Sequence, residues 1–325
     1  MRKRNCATIG AALLALTLGL LPMRTALAYP DRPITMIVPF APGGPTDIIA
    51  RILAESMSRS LKQSVVIDNR PGAAGNIGMA MAARAQPDGY TLLLTSTAIA
   101  VNPAIYKKLS YDPFKDFAPI SELVNSPNVL VVKPSSGIKT VADLVARAKA
   151  APGTFNYSSP GVGTKSNLTG EELKQRANIT MTHVPYRGAG PSALAVLEGT
   201  VQVGSVALPA AEAMIKSGQL TALAVTGKER WPDLPDVPTL IESGYPGFVS
   251  DTFSALFAPT GTPPDIIAKL AEACKVAFAS QEARDQARRG GFVVVAGTPK
   301  ELGDRLAAEV PAVKALVVRA GLELQ

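Results

Sequence analysis

The chain has 325 residues, of which 47% are apolar and 18% charged, and its formal net charge is +7. That apolar fraction excludes a disordered or low-complexity chain, and the length suits one two-lobed protein or two modest domains. The positive balance invites a nucleic acid or an anionic surface as partner, but residues 1–28 hold Arg2, Lys3, Arg4 and Arg24 and no acid, so only about +3 is left for the rest.

Residues 1–28 have a basic start, an apolar stretch over 9–21 and a small-residue end at Ala26-Leu27-Ala28. This is the plan of a secretory signal peptide, with cleavage expected before Tyr29 and export of the mature chain. The apolar stretch is shorter than the roughly 20 residues a spanning helix needs, and no later segment is apolar enough, so no membrane insertion of the mature chain is expected. Lys3 separates Arg2 from Arg4, which does not support a twin-arginine signal. Cys6 precedes the apolar stretch, where a lipid-accepting cysteine would follow it.

From there short apolar runs alternate with helical patterns, the signature of α/β units with largely parallel sheets covered by helices on both faces. Strands are expected at 34–40, 65–68, 91–95, 128–133, 154–158, 181–184, 201–206, 220–226, 253–258 and 292–296. Ile48, Ile49, Ile52, Leu53 and Met57 form a helical stripe with Thr46 as its N-cap. Val141, Leu144, Val145 and Ala148 form another behind Thr140. Ile267, Leu270, Cys274 and Phe278 share one helical face, so Cys274, the one cysteine left after cleavage, reads as a buried core residue. Thr298-Pro299-Lys300-Glu301 has the form of a capping box with proline at the first helical position. Two stretches resemble crossings between lobes: a polar, proline-bearing one at 121–133 and a proline-rich one at 232–250. If both cross, one lobe is built from the two ends of the chain and the other is inserted.

Enzyme templates fail by absence. His183 is the chain's one histidine, it sits in an apolar strand, and no G-x-S-x-G elbow exists, so a structural histidine is favoured over a catalytic one. One histidine and one mature cysteine do not supply a zinc ligand set, and no metal or cofactor is expected. In Gly163-Thr164-Lys165-Ser166 the Gly-Lys adjacency of a phosphate loop is broken by Thr164. Gly188-Ala189-Gly190-Pro191-Ser192-Ala193 lacks the following acidic residue of a dinucleotide site and reads as a turn into a helix.

What recurs instead is a strand, a loop rich in Gly, Pro, Ser and Thr, and a helix, at 39–47, 158–167 and 184–191. Glycine lets backbone approach a ligand closely, and the first N–H groups of a helix lack intrahelical acceptors. With the positive end of the helix dipole, they suit a carboxylate or phosphate. Any one such loop could be an ordinary turn; three recurrences, two of them longer than turning requires, point to a ligand site.

At these loops the chain resembles the extracytoplasmic solute-binding proteins of tripartite tricarboxylate transporters, the Bug family. The matching segments are Ile37-Val38-Pro39-Phe40-Ala41-Pro42-Gly43-Gly44-Pro45-Thr46-Asp47, Asn69-Arg70-Pro71-Gly72-Ala73-Ala74-Gly75-Asn76-Ile77-Gly78, Pro87-Asp88-Gly89-Tyr90-Thr91, His183-Val184-Pro185-Tyr186-Arg187-Gly188, Leu234-Pro235-Asp236-Val237-Pro238-Thr239 and Leu256-Phe257-Ala258-Pro259-Thr260-Gly261-Thr262-Pro263. They span essentially the whole mature chain.

The resemblance implies an α/β, two-lobed class II periplasmic-binding-protein fold of the Venus flytrap kind. Each lobe would be a mixed sheet flanked by helices, and two crossing segments would form the hinge. Lobe 1 would comprise 29–125 plus 249–325 and lobe 2 would comprise 126–248. It implies a small carboxylate as ligand, held by Phe40, Ala41, Pro42, Gly43, Gly44, Thr46 and Asp47 through backbone groups and water. Ser159, Gly161, Gly163 and Thr164 would meet it from the other lobe. Thr97, Tyr186 and Arg187 are further expected contacts. Asn167 stands where relatives often carry histidine, and the segment around Ser205 lacks an acid many relatives have; a ligand without an amine is therefore expected. The implied partners are the permease subunits of a tripartite transporter, with no nucleic acid, and a monomer is the default. The alternative role is a receptor that reports its ligand to a sensor kinase.

Overall fold

The computed structural model describes residues 29–186, 188–322 and 324. The expected leader and Arg187 lie outside them. The elements belong to one unit that begins at Arg32.

The chain opens with β1 (Ile34–Val38), α1 (Pro45–Leu61), β2 (Val65–Asn69), α2 (Asn76–Ala83), β3 (Thr91–Ser96) and α3 (Ala98–Ile105). β1 lies between β2 and β3 and runs parallel to both, as helical crossovers between strands require. Next comes β4 (Phe117–Val132), 16 residues long. Then follow α4 (Val141–Ala150), β5 (Phe155–Ser159), α5 (Lys165–Ala177), β6 (Met181–Pro185), α6 (Ala189–Glu198), β7 (Val203–Ala207), α7 (Glu212–Lys216) and β8 (Thr221–Val225). The chain closes with β9 (Asp251–Pro259), α8 (Pro264–Ala277), α9 (Gln281–Arg289), β10 (Val293–Val294) and α10 (Pro299–Ala320).

β4 belongs to two sheets. Its first part pairs antiparallel with β9 and β10, in the sheet that also holds β1, β2 and β3. Its last residues pair antiparallel with β7 and β8, in the sheet where β5 runs parallel to β6 and β7. The second sheet has a buried apolar cluster on each face, one around Tyr157, Leu144 and Phe248 and one around Val206, Val196 and Trp231. The first sheet has its own around Leu93, Phe257 and Leu306. A smaller cluster joins the halves, with Leu168 of α5 packed among Val101, Ala104 and Ile105 of α3 and Val313, Leu316 and Val317 of α10.

The capping box read at Thr298 with Glu301 is present, and Thr140, expected as an N-cap, closes a second one with Asp143. Cys274 is fully buried, and that burial pushes its thiol pKa up, which leaves it an inert core residue. Three expectations need correction. Thr46 is not the N-cap of α1: Gly44 is, and Thr46 is buried inside the first turn. The stretch at 121–133 does carry the chain from one sheet to the other, but its polar part, 121–127, is the middle of strand β4, because two flanking strands pair with its backbone and Arg305 pairs with its Glu122. The proline-rich segment after Thr226 is not itself a crossing. Trp231, Leu240 and Phe248 are buried in the clusters of the second sheet, and the return to the first sheet is made at Ser250 and Asp251.

A buried polar knot marks that return. The Asn128 side chain donates to the Ser250 carbonyl (3.0 Å) and to Thr169 Oγ1 (3.4 Å), and it accepts from Ser166 Oγ (2.6 Å). Its backbone N–H donates to Thr226 Oγ1 at 2.8 Å. β4, α5, the residue after β8 and the residue before β9 are thus tied at one point.

Candidate functional site

The loop after β1 and the loop after β5 are built alike. Gly43 and Gly163 sit one residue before the N-caps of α1 and α5, with φ of 79° and 75°, a left-handed conformation that favours glycine. The Gly43 N–H donates to Asp47 Oδ2 (2.8 Å), and the Gly163 N–H donates to Asn167 Oδ1 (3.0 Å). In each case the acceptor lies four residues on, at the third helical position, and folds the loop back over its own helix start.

Asp47 and Asn167 are both 0% exposed. Asp47 also accepts from Arg51 Nε (2.7 Å) and Asn69 Nδ2 (2.9 Å). Burial pushes its carboxyl upward, but the bonds from Arg51, Gly43 and Asn69 outweigh this and hold the pKa below its ordinary value. Asn167 Nδ2 donates to the Tyr157 hydroxyl (2.7 Å), which donates to Glu171 Oε1 (2.6 Å), and Lys174 pairs with Glu171 at 2.8 Å. Burial, the Glu171 charge and the hydrogen bond to Glu171 push the Tyr157 pKa upward.

Asp47 and Asn167 therefore hold loops and offer no atom to solvent. Ser205 is also fully buried and donates to the Ser166 carbonyl at 2.7 Å. Thr46 and Thr97 are 8% and 4% exposed. Ser159 is also 0% exposed, with its hydroxyl inside its own loop, where it accepts from the Gly161 N–H (3.2 Å) and lies 3.1 Å from the Gly161 carbonyl.

Ala41, Pro42 and Gly43 are exposed, and Phe40, Gly44, Gly161, Gly163, Thr164 and Tyr186 are half-buried. α1 starts without a side-chain cap, whereas Thr164 caps α5 by accepting from the Asn167 N–H at 3.3 Å. The first loop thus presents an uncapped helix start beside an exposed backbone, the arrangement that suits an anion. Thr164 Oγ1 also donates to the Gly161 carbonyl (2.8 Å), and the Tyr186 N–H donates to the Ser159 carbonyl (2.9 Å), so the loops after β5 and β6 lie side by side. Among the described residues no hydrogen bond joins the loop after β1 to the loop after β5. Gly163 meets the other half through Ile105: a Cβ at 163 would lie 3.1 Å from Ile105 Cγ1.

The residue-by-residue reading missed Asn69, whose Nδ2 donates to both the Phe40 carbonyl (3.1 Å) and Asp47. It stands at the end of β2, beside the loop after β1, and an amide at a strand end next to a glycine-rich loop was the available signal. Gly78 was also missed: a Cβ there would meet Pro39 at 2.7 Å, so only glycine lets α2 lie against that loop.

A groove of about 890 Å³ lies elsewhere, between α10, the returning strands and the 227–232 segment, and none of the expected ligand residues line it. Arg305 lies there, contacting Glu122 (2.5 Å), Asp251 and Glu309, and Glu309 pairs with Lys165 at 2.6 Å. Burial pushes the Glu309 carboxyl upward, but the Lys165 and Arg305 charges bring it below its ordinary value. For Glu122 burial prevails and the pKa is raised.

The model of the family described as "Tripartite tricarboxylate transporter family receptor" matches residues 49–322. Protein BugT of Bordetella pertussis is 36% identical over 324 residues, covering 99% of both chains. The structure of periplasmic binding protein BugD superposes with a TM-score of 0.75 at 34% identity, covering 91% of this chain and 100% of that one. The structure of MatC from Rhodopseudomonas palustris with bound malate superposes with a TM-score of 0.73 at 32% identity, covering 89% and 100%.

Proposed function

Because the chain belongs to the tripartite tricarboxylate transporter receptor family, we propose that it captures a small carboxylate between its two sheets and delivers it to the membrane subunits of such a transporter. Members of this family are periplasmic solute-binding receptors. No helix among the described residues is long and apolar enough to cross a membrane.

The observation that carries the reading is the pair of matched loops. Each follows a strand in the parallel part of its own sheet, and each is held from behind by a buried Asp or Asn, which leaves in front an exposed backbone in the first loop and a half-buried one in the second. A binding surface made of backbone favours carboxylate oxygens without a fixed countercharge, and MatC, built on the same fold, holds malate. The lobes are 29–125 with 249–325 and 126–248, and the ligand draws them together by binding the closed form better. The chain is exported and cleaved before Tyr29. A ligand without an amine is preferred, since the described residues of both loops offer an ammonium no exposed acid.

The test is isothermal titration with malate, succinate, citrate, adipate, benzoate, aspartate and glutamate, combined with mass spectrometry of any ligand that co-purifies. Binding of at least one carboxylate lacking an amine, with a smaller radius of gyration in X-ray scattering, is the expected result. Chemical conversion of the ligand, or binding confined to the amino acids, would count against it.

A further inference from the structure

His183 has so far only been a structural residue, yet it touches the loop after β5. In the parallel register of β5 and β6 it stands opposite Tyr157, with ring centroids 4.9 Å apart. Its Nε2 lies 2.7 Å from Ser159 Oγ. The same hydroxyl holds the N–H and carbonyl of Gly161, one of the half-buried glycines in front of α5.

A hydroxyl has one proton and two lone pairs. If Nε2–H donates to Ser159 Oγ, that oxygen accepts a second bond from the Gly161 N–H, and its own proton goes to the Gly161 carbonyl. All three contacts are then satisfied. A doubly protonated imidazole makes the same Nε2–H donation, so the arrangement accommodates either charge state.

We propose that His183 is a positioning residue for the anion-binding loop: through Ser159 it sets the Gly161 turn, and when protonated it places a cation behind that turn without breaking the bond, so carboxylate binding tightens as pH falls. This rests on the receptor reading above. The charged groups that act on His183 are Glu171 and Lys174 of α5, which pair with each other at 2.8 Å, and the Tyr157 phenol stands beside it on β5. α6 carries no ionisable residue before Glu198. Burial lowers the His183 pKa from its ordinary 6.5, with Glu171 acting upward and Lys174 downward, so the free receptor is mainly neutral at pH 7. A bound anion favours the imidazolium and raises that pKa. By reciprocity, protonation favours the anion. The gain is full below the pKa of the free receptor and is lost as pH rises through the pKa of the complex.

The chain contains one histidine, so its imidazole NMR signals identify themselves. Wild type, H183Q, H183F and S159A are compared without ligand and then with malate, succinate, citrate and adipate at pH 5.5 and 8. Without ligand, H183F is expected to displace the Gly161 amide and H183Q, which keeps a donor toward Ser159, to restore it. S159A is expected to shift the imidazole midpoint. With a bound acid, the ratio of affinity at pH 5.5 to affinity at pH 8 is expected to be about 3- to 10-fold larger in wild type than in H183Q, a comparison in which the acid's own protonation cancels. An unmoved Gly161 amide in H183F, or an unchanged pH dependence in H183Q, overturns the proposal. If no acid of the panel binds, the receptor reading fails on its own titration, and the Gly161 amide alone decides the role of His183.

Discussion

Asp47 combines a full charge with complete burial, and the bonds it accepts reconcile the two. Replacing Asp47 by Asn removes the ion pair with Arg51 and one acceptor for the Gly43 and Asn69 donors. The expected loss at pH 7 is about 1–3 kcal/mol, measured by urea unfolding. The pH dependence follows from the lowered pKa. A carboxyl depressed in the folded state contributes stability above its unfolded value, 3.8, and that contribution fades as pH falls through the folded value. The gap between wild type and D47N should therefore be widest above about pH 4 and narrow below it. A gap independent of pH would show that Asp47 acts by shape alone. Asp47 could be picked out in the sequence, but its role could not. The pattern at 40–47 suits a carboxylate facing a ligand as well as one facing Gly43, and only the fold, which brings Asn69 and Arg51 to its two oxygens, separates them.

At the scale of elements, α5 does two things. Its start carries the loop at 161–164, and its next turn puts Leu168 among side chains of α3 and α10. Lys165 adds an ion pair to Glu309 of α10 across the same contact. Leu168 is 1% exposed, so Leu168→Ala should cost about 2–5 kcal/mol, the range for a large-to-small change in a packed core. A loss below 1 kcal/mol in urea unfolding would mean that the cluster is loosely packed. The strands with uniform apolar runs were legible to within a residue or two, as at β2 and β3. The first part of β4 was not, because Pro119, Ser121, Glu122, Asn125 and Pro127 have the composition of a loop. That segment is strand because β9 and β10 flank it and Arg305 meets its charge, and the residues that do so lie more than a hundred positions away.

For the whole molecule, the decisive feature is how the two sheets are joined. β4 runs through both, the chain returns at Ser250, and Asn128 bonds to residues on each side of that return. Asn128→Leu would leave the Ser166 hydroxyl without an acceptor inside a buried site and take one of two donors from the Ser250 carbonyl, which keeps Thr226 Oγ1. A loss of about 2–4 kcal/mol is expected, read as a lower urea midpoint with an unchanged slope. An unchanged midpoint would show that the knot is dispensable and that the join rests on the strands alone.

The amino-acid sequence by itself determined the α/β class, most elements, the N-cap at Thr140 and the capping box at Thr298, because these follow from periodicity and from side chains three or four residues apart. Through its glycine-rich segments it also pointed to the family. Tertiary structure alone decided which polar residues face outward. The polar atoms of Asp47, Asn167 and Ser205 are engaged by Asn69, the Tyr157 hydroxyl and the Ser166 carbonyl, partners ten or more positions away that only folding brings within 3 Å. Burial is a property of neighbours, and neighbours distant in the chain leave no periodic trace in it.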